Sequence, residues 1–449
     1  MPIKNIFRGL RKAMHQAVRS SIAGMPREWR FAVYRSFVDC DPQPTERLEL
    51  KIADTREELE ACFTLLHDAY VDSGFMKPDP SGMRVTIYHA LPTTTTLCAK
   101  YDGEVVGTLS LIRESAVGFP LQSIFDLSGV RRKEGNIAEV SALAVHPDFR
   151  KTGGMILFPL MKFMREYCTT FFDTRHIVIA VNPNRIEMYE SLLFFERLTA
   201  KVVENYDFAN GAPAVGATLD LKAAPQVFAK CYAKKTQRKN LHDYFFELAL
   251  PNIHLPTRRY YTTNDPVLTP ELLDYFFNVR TKGFENLDDH KKALLHSIYD
   301  LPEYRKVLPA LPDRSGKAEK RQHKRFSVRC PGQITLTMAD GKEEEVPIEV
   351  IEVSPFGFQA RTDKPLSLGA WGDAVIQLGK SEVSYVKASA EHGVSNGQKS
   401  FYGFQLGQPD LIWRKCVAAL DRGQTHSDLD QASRFLVASR ADSVSTSPH

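Results

Sequence analysis

Residues 137–158 read IAEVSALAVHPDFRKTGGMILF and predict a strand, a glycine-containing loop and the start of a helix. The strand is predicted over 137–145, because alternate residues there form one face: Ile137, Glu139, Ser141, Leu143 and Val145. In the loop, Gly153 and Gly154 leave backbone N–H groups uncovered before a helix, and such groups bind phosphates. Two glycines before a helix are also typical of an ordinary capping turn. The segment therefore predicts a strand–loop–helix unit that suits an anion.

Strands and helices alternate on both sides of this unit, from residue 48 to residue 225. Thr55 is the predicted N-cap of an amphipathic helix. Asp102 and Gly103 form the dipeptide of a tight hairpin turn between two predicted strands. Residues 176–181 (HIVIAV) are apolar from Ile177 onward and predict a buried strand. This order predicts an α/β domain.

The rest of the chain changes character twice. Residues 226–308 predict a helical extension, and residues 309–320 form a linker rich in proline, glycine and charge. Residues 321–422 contain short strands separated by turn signals without intervening helices, a pattern that predicts an all-β barrel closed by one helix. Residues 423–449 are polar and predict a mostly disordered tail.

Composition excludes several classes of protein. The 449 residues include 58 Lys and Arg against 54 Asp and Glu, and a net charge of +4 is too small to indicate DNA or RNA as a partner. The seven cysteines are widely spaced, so neither a disulfide scaffold nor a metal site is predicted. No apolar run reaches the length of about 18 residues that a membrane-spanning helix needs. We therefore expect a cytoplasmic protein.

Positive charge is concentrated in residues 1–36, which predict a basic amphipathic helix. Eight Lys or Arg residues and one Glu occur in residues 1–35, with apolar residues at helical spacing. This composition is typical of a helix that contacts an anionic membrane or an acidic partner. A helix that packs on the body of its own protein shows the same pattern. Peripheral contact of residues 1–30 with the inner face of the membrane is therefore one of two expectations.

Several blocks between residues 50 and 225 resemble one superfamily. AEVSALAVHPDFRKTGG (138–154) and IVIAVNPNRIEMYESLLFFER (177–197) resemble the acyl-thioester loop and the last core segment of the GNAT acyltransferases. More narrowly, HDAYVDSGFM (67–76) and ALPTTTTLCAKYDGEVVGTLSLIRES (90–115) resemble the FeeM-type N-acyl amino acid synthases, which are relatives of the LuxI-type autoinducer synthases. The resemblance implies a GNAT-like N-acyltransferase domain over 48–225.

The reaction implied by this resemblance is attack of an amine on a thioester, and it implies catalytic roles for three side chains. Glu139 is the implied base, Tyr189 the implied acid for the departing thiolate, and Asn182 orients either group. Each has a simpler interpretation as well: an exposed or salt-bridged strand carboxylate for Glu139, an aromatic core residue for Tyr189, and ordinary turn chemistry before proline for Asn182.

The acyl donor implied is an acyl carrier protein or an acyl-CoA. The resemblance implies that four residues hold its thioester: Val145 through a backbone N–H, Arg150, Gly153 and Gly154. The sequence departs from the superfamily pattern at Met155, where the loop normally has glycine or alanine. It also departs at Ala142, where the synthases often have an arginine. If that arginine fixes the carboxylate of the acceptor, this chain must use another cation or another acceptor.

The barrel segment resembles the PilZ domain, whose signature is RxxxR followed by Asp/Asn-x-Ser-x-x-Gly. Arg321 and Arg325 match the first half, and Glu352, Ser354 and Gly357 match the second. The resemblance implies binding of cyclic di-GMP, with the arginines on phosphate and guanine. Glu352 replaces Asp or Asn, which moves the carboxylate outward by one methylene. A solvated basic linker and a barrel that no longer binds ligand remain as alternatives.

Taken together, the sequence predicts an N-acyltransferase that uses acyl carrier protein or acyl-CoA, accepts an amino acid and responds to cyclic di-GMP. Two other functions stay open. The acyltransferase fold could be a degenerate scaffold in a cyclic di-GMP sensor, or the enzyme could acetylate an amine from acetyl-CoA. No metal is predicted to take part.

Overall fold

The computed structural model describes residues 24–150, 152–263, 268–299, 302–311, 325–337, 343–395 and 400–421. These residues form two compact units. The first contains residues 24–84, 96–114 and 118–254, and the second contains residues 85–95, 115–117 and the described residues from 255 onward. The division after His254 lies inside the segment predicted as a helical extension, so its helices are shared between the two units.

The first unit is built on a mixed sheet. Its strands are β1 (Leu48–Ile52), β2 (Thr94–Tyr101), β3 (Glu104–Arg113), β4 (Asn136–Val145), β5 (Thr174–Val181), β6 (Glu196–Arg197), β7 (Val203–Tyr206) and β8 (Ala212–Asp220). The order across the sheet is β1-β2-β3-β4-β5-β8-β6, and β7 pairs with β8. Only the β4–β5 pair among these is parallel.

The helices of the first unit are α1 (Arg27–Ser36), α2 (Arg56–Asp72), α3 (Ser128–Arg131), α4 (Leu157–Phe172), α5 (Pro183–Leu193) and α6 (Ala224–Tyr232). A π-helical turn covers Asp243–Glu247, and short 3₁₀ turns cover Pro120–Ser123, Pro147–Phe149, Asp207–Ala209 and Gln237–Lys239. Thr55 caps α2 by accepting a hydrogen bond from the backbone N–H of Glu58, as predicted. The predicted hairpin turn also forms, since Asp102 and Gly103 have φ of 52° and 85°.

The strands β4 and β5 separate partway along their length. Their parallel pairing runs from Asn136 to Glu139, opposite Val178, and ends there. On the other side, β4 bulges against β3 between Ser141 and Ala144, and Ala142 within the bulge has φ of 54°. The bulge interrupts the strict alternation predicted for residues 137–145. It leaves the second half of β4 unpaired with β5, which opens a gap in the sheet.

The second unit contains a closed antiparallel barrel. Its strands are β9 (Phe326–Thr337), β10 (Glu343–Ser354), β11 (Gly357–Thr362), β12 (Trp371–Gln377), β13 (Val383–Ser395) and β14 (Ser400–Leu406), arranged in the cyclic order β10-β11-β14-β13-β12-β9. The helix α10 (Leu411–Asp421) packs against it through the fully buried Trp413, whose Nε1 donates to the Ser354 carbonyl at 2.9 Å.

Shorter helices precede the barrel in the same unit. They are a 3₁₀ turn (Ile87–Ala90), α7 (Pro270–Asp274), which continues as a π-helical turn (Tyr275–Arg280), α8 (Asp289–Ile298) and α9 (Pro302–Arg305). Tyr260 packs into the barrel core, and the N–H of Tyr261 donates to the Leu378 carbonyl at 2.8 Å. The segment before the linker therefore forms part of the packing of the barrel.

The predicted architecture is confirmed: an α/β unit built on a mixed sheet and a helical segment, followed by a closed all-β barrel. The described helices include none of the length and apolarity needed to cross a membrane. No cluster of His, Cys, Asp and Glu that could hold a metal occurs in the described part of the chain. Residues 1–23, Arg321, most of the predicted linker and the tail lie outside the described residues.

Candidate functional site

Two adjoining cavities lie in the first unit, at the gap between β4 and β5. The larger, of about 820 Å³, extends along the glycine loop, and the smaller, of about 200 Å³, contains Glu139. Leu143, Arg185 and Tyr189 line both of them. A substrate in one cavity would therefore lie next to a substrate in the other.

The glycine loop forms one wall of the larger cavity. Gly153 and Gly154 have φ of 72° and 105°, a region that residues with a Cβ rarely adopt. A Cβ on Gly154 would also lie 2.4 Å from the ring of Phe158 in the first turn of α4. The backbone can therefore approach a ligand here, at a helix N-terminus that favours negative charge. Met155 does not line the cavity, so its side chain does not narrow it.

Arg150 and Val145 connect the loop to the end of β4. The Nε of Arg150 donates to the Val145 carbonyl at 2.8 Å. The next residue, His146, donates its N–H to Val106 of β3, so the N–H and carbonyl of Val145 point away from β3 toward the gap. Both residues line the larger cavity, as the predicted thioester site requires.

The helix α1 forms another wall of the larger cavity. Arg30, Tyr34 and Phe37 line it, and Arg30 pairs with Glu187 of α5 at 2.6 Å. Because α1 packs on α5, residues 27–36 form a helix that packs on the body of the protein, which is one of the two expectations for the basic segment. Phe37 remains 71% exposed.

Glu139 is buried beside the smaller cavity. Glu139 is only 1% exposed, and its Oε2 accepts a hydrogen bond from the Leu121 N–H at 3.0 Å. Burial raises the pKa of the Glu139 carboxyl to about 8, against the smaller opposing effect of the Leu121 N–H. No salt bridge to Glu139 occurs among the described residues, so the interpretation as a paired strand carboxylate is wrong. A carboxyl of this pKa can accept and release a proton near neutral pH.

Tyr189 and Asn182 come to the same place from α5. Tyr189 packs edge-on against Phe195, and burial raises the pKa of its phenol to about 12. Asn182 caps α5 by accepting from the N–H of Asn184 at 3.0 Å, and it lines the smaller cavity. The structural roles weighed from the sequence are therefore real for both residues, and both also face the candidate site.

Sequence reasoning missed other walls of the smaller cavity. Tyr70 of α2 and Phe208 line it, and the guanidinium of Arg84 lies over both rings at 4.2 and 4.9 Å. Arg185 was not singled out either, although the sequence offered one signal, an arginine in the first turn of a helix after Asn-Pro. The apolar residues Val106 and Leu121 are buried and line neither cavity.

A third cavity, of about 380 Å³, lies on the barrel and contains the matched signature residues. Arg325, Glu352, Ser354 and Gly357 line it. Arg325 donates to Glu352 at 3.2 Å, so the longer carboxylate reaches the arginine. Arg321 is not described, and its role stays a prediction. Four of the five signature residues therefore meet at one cavity.

The turn from β10 to β11 shapes this cavity. The Ser354 hydroxyl donates to the Gly357 carbonyl at 2.9 Å, and a Cβ on Gly357 would lie 2.5 Å from the Phe404 carbonyl. Glycine is therefore required at position 357, because β11 and β14 approach each other closely there. The opposite wall includes Glu391 and His392 of β13, which the sequence signature does not contain. The His392 ring covers Gly403, where a Cβ would lie 2.1 Å from it.

Comparison with known proteins agrees with this organisation. The family model described as "N-acyl amino acid synthase FeeM" matches residues 61–220. No curated protein matches the chain. The match identifies residues 61–220 as an N-acyltransferase domain of the FeeM type.

Three similar solved structures each cover less than half of this chain. FeeM from uncultured soil microbes is 23% identical, with 40% of this chain and 95% of FeeM covered and a TM-score of 0.35. BjaI, a CoA-dependent acyl-homoserine lactone synthase, is 20% identical, with 46% and 91% covered and a TM-score of 0.33. The PilZ domain of YcgR from Escherichia coli, solved with c-di-GMP, is 15% identical, with 27% and 98% covered and a TM-score of 0.19.

Proposed function

We propose that this chain, with its FeeM-type N-acyltransferase domain at residues 61–220, transfers a long-chain fatty acyl group from acyl carrier protein or acyl-CoA to the amino group of an amino acid. We also propose that cyclic di-GMP binds the barrel and regulates this transfer. The observation that carries the first proposal is the buried Glu139 carboxyl, with a pKa of about 8, beside a cavity that joins the glycine-loop cavity.

The acyl donor is assigned to the larger cavity. Its glycine loop and the N-terminus of α4 suit the phosphates of coenzyme A or of a phosphopantetheine arm. Arg150 adds a positive charge on the same wall. The thioester carbon would then lie near the gap, where the Val145 N–H points and can stabilise the oxyanion. The amine of the acceptor enters from the smaller cavity.

In the reaction, the amine nitrogen forms a bond to the thioester carbon and the carbon–sulfur bond breaks. Glu139 takes the proton that the amine loses, directly or through a water. The thiol departs with one proton. Because a thiol has a pKa of about 8.5, close to that of the Glu139 carboxyl, the same carboxyl can return the proton it took.

For Tyr189 we propose a role other than the proton donation that the resemblance implies. Its pKa of about 12 lies well above the value of about 8.5 for a thiol, so proton transfer from the phenol to the thiolate is unfavourable. A phenol that stays protonated can still donate a hydrogen bond to the sulfur as negative charge develops. We therefore assign Tyr189 to stabilisation of the leaving group.

The regulatory proposal depends on the barrel cavity. Arg325 supplies a planar donor group for phosphate or guanine, and Ser354 and Gly357 lie on the wall that the PilZ signature assigns to the ligand. Cyclic di-GMP can shift the acyl-transfer rate only if it binds two conformations of the protein with different affinity. Contact of residues 1–30 with acyl carrier protein or with an anionic membrane stays a prediction.

The proposed reaction is tested by lipid mass spectrometry of a bacterial host that makes no such lipids. We expect N-acyl amino acids in cells that express the wild type. We expect them also in cells that express the control variant Glu204→Ala, because Glu204 is exposed. In Glu139→Ala their amount should fall by about a hundredfold or more, the usual contribution of a general base. If no new lipid appears with the wild type, at high or low cyclic di-GMP, the acyltransferase domain is a scaffold and the proposal is wrong.

The donor site is tested with Gly154→Ala. The added Cβ meets the Phe158 ring at a φ of 105°, so the loop must move away from the phosphates. We expect the KM for the acyl donor to rise about tenfold while the KM for the amino acid is unchanged. Gly129→Ala is the matched control, because a Cβ there meets nothing within 4 Å. An unchanged donor KM in Gly154→Ala would contradict the assignment.

Ligand binding by the barrel is tested by calorimetry with cyclic di-GMP. Arg325→Ala should weaken binding by about tenfold or more, since it removes charge-assisted hydrogen bonds. Arg414→Ala, an exposed arginine of α10 that does not line the cavity, should bind as the wild type does. Equal affinity of wild type and Arg325→Ala would exclude this cavity as the site.

A further inference from the structure

Among the described residues, none pairs with Arg185 in a way that explains its position. It is the third residue of α5, where the positive end of the helix dipole disfavours a cation. No ion pair or side-chain hydrogen bond to its guanidinium occurs among the described residues. The two carboxylates of α5 are already paired with other arginines: Glu187 with Arg30, and Glu190 with Arg27 and Arg197.

Arg185 also supplies the positive charge of the smaller cavity, to which the acceptor is assigned. Among the described residues that line the smaller cavity, Arg185 is the one cation and Glu139 the one carboxylate. Arg84, the other arginine nearby, does not line the cavity and is held by the Phe208 carbonyl at 2.6 Å. Ala142, the position where an arginine is missing from the strand, lines the same cavity.

We propose that Arg185 binds the carboxylate of the acceptor amino acid and so directs its amine toward the junction of the two cavities. This inference rests on the proposed acyl transfer. A guanidinium matches a carboxylate through two parallel hydrogen bonds. The bound carboxylate would relieve the unfavourable position of a cation at a helix N-terminus. Arg185 is thus a residue that positions substrate and selects acceptors that carry an acidic group.

The inference is tested with pairs of ligands that differ only in that group. Calorimetry first measures the affinity of the protein for the N-dodecanoyl derivatives of the common L-amino acids. The derivative that binds most tightly is then compared with its carboxamide, which lacks only the carboxylate. We expect the wild type to bind the acid about tenfold more tightly than the amide. Arg185→Gln should bind both equally, Arg185→Lys should keep part of the preference, and the remote Arg132→Gln should keep all of it.

Steady-state kinetics provide the second readout. In Arg185→Gln the KM for the amino acid should rise about tenfold, while the KM for the acyl donor stays unchanged. A rise in the donor KM instead would place Arg185 on the donor, which overturns the inference. Equal binding of acid and amide by the wild type, or an unchanged preference in Arg185→Gln, also overturns it and leaves the proposed reaction intact. If the wild type binds none of the derivatives, both the proposed reaction and the inference are wrong.

Discussion

The site in the first unit depends on where the pairing of β4 and β5 stops. Their parallel ladder ends at Glu139 opposite Val178, and the bulge at Ala142 turns the rest of β4 away. Backbone groups that would pair with a neighbouring strand in a continuous sheet, those of Val145 among them, are thereby left facing a gap. Both cavities open at this gap, and α5 contributes Arg185 and Tyr189 to both.

The same geometry sets the chemistry of Glu139. The strand places this carboxyl where the ladder is still closed, so the carboxyl is buried, and among the described residues the Leu121 N–H is the one hydrogen-bond donor to it. Burial without a cationic partner favours the neutral acid, which is why its pKa rises to about 8. A carboxyl exposed at the end of a strand would keep an ordinary pKa and would be a weaker base at neutral pH.

Features fixed by local sequence could be predicted, and features fixed by distant contacts could not. The hairpin at Asp102 and the N-cap at Thr55 follow from turn and capping chemistry over a few residues, and both are confirmed. The bulge at Ala142 was missed, because alanine carries no signal for a positive φ. The sequence left open whether the basic segment packs on its own protein, since the pairing of Arg30 with Glu187 that holds α1 joins residues 157 positions apart.

The candidate site residues divide in the same way. A family signature located Glu139, Gly154 and Arg325, and all three line cavities of a size that suits a ligand. His392 and Arg185 belong to no signature, and only the packing of strands and helices brings them to those cavities. A resemblance therefore identified the type of chemistry, while tertiary structure was needed to complete each wall.

The most direct test of the role of Glu139 is the pH dependence of kcat/KM for acyl transfer. The active form is the carboxylate, and below its pKa the neutral acid predominates, so kcat/KM should rise with pH and level off above about 8. This rise of kcat/KM should occur at the same pH for acceptors whose amines differ in pKa, and it should be absent in Glu139→Gln. A rise with an apparent pKa near 4.5 would contradict the account. So would a rise whose apparent pKa changes with that of the amine and that persists in Glu139→Gln.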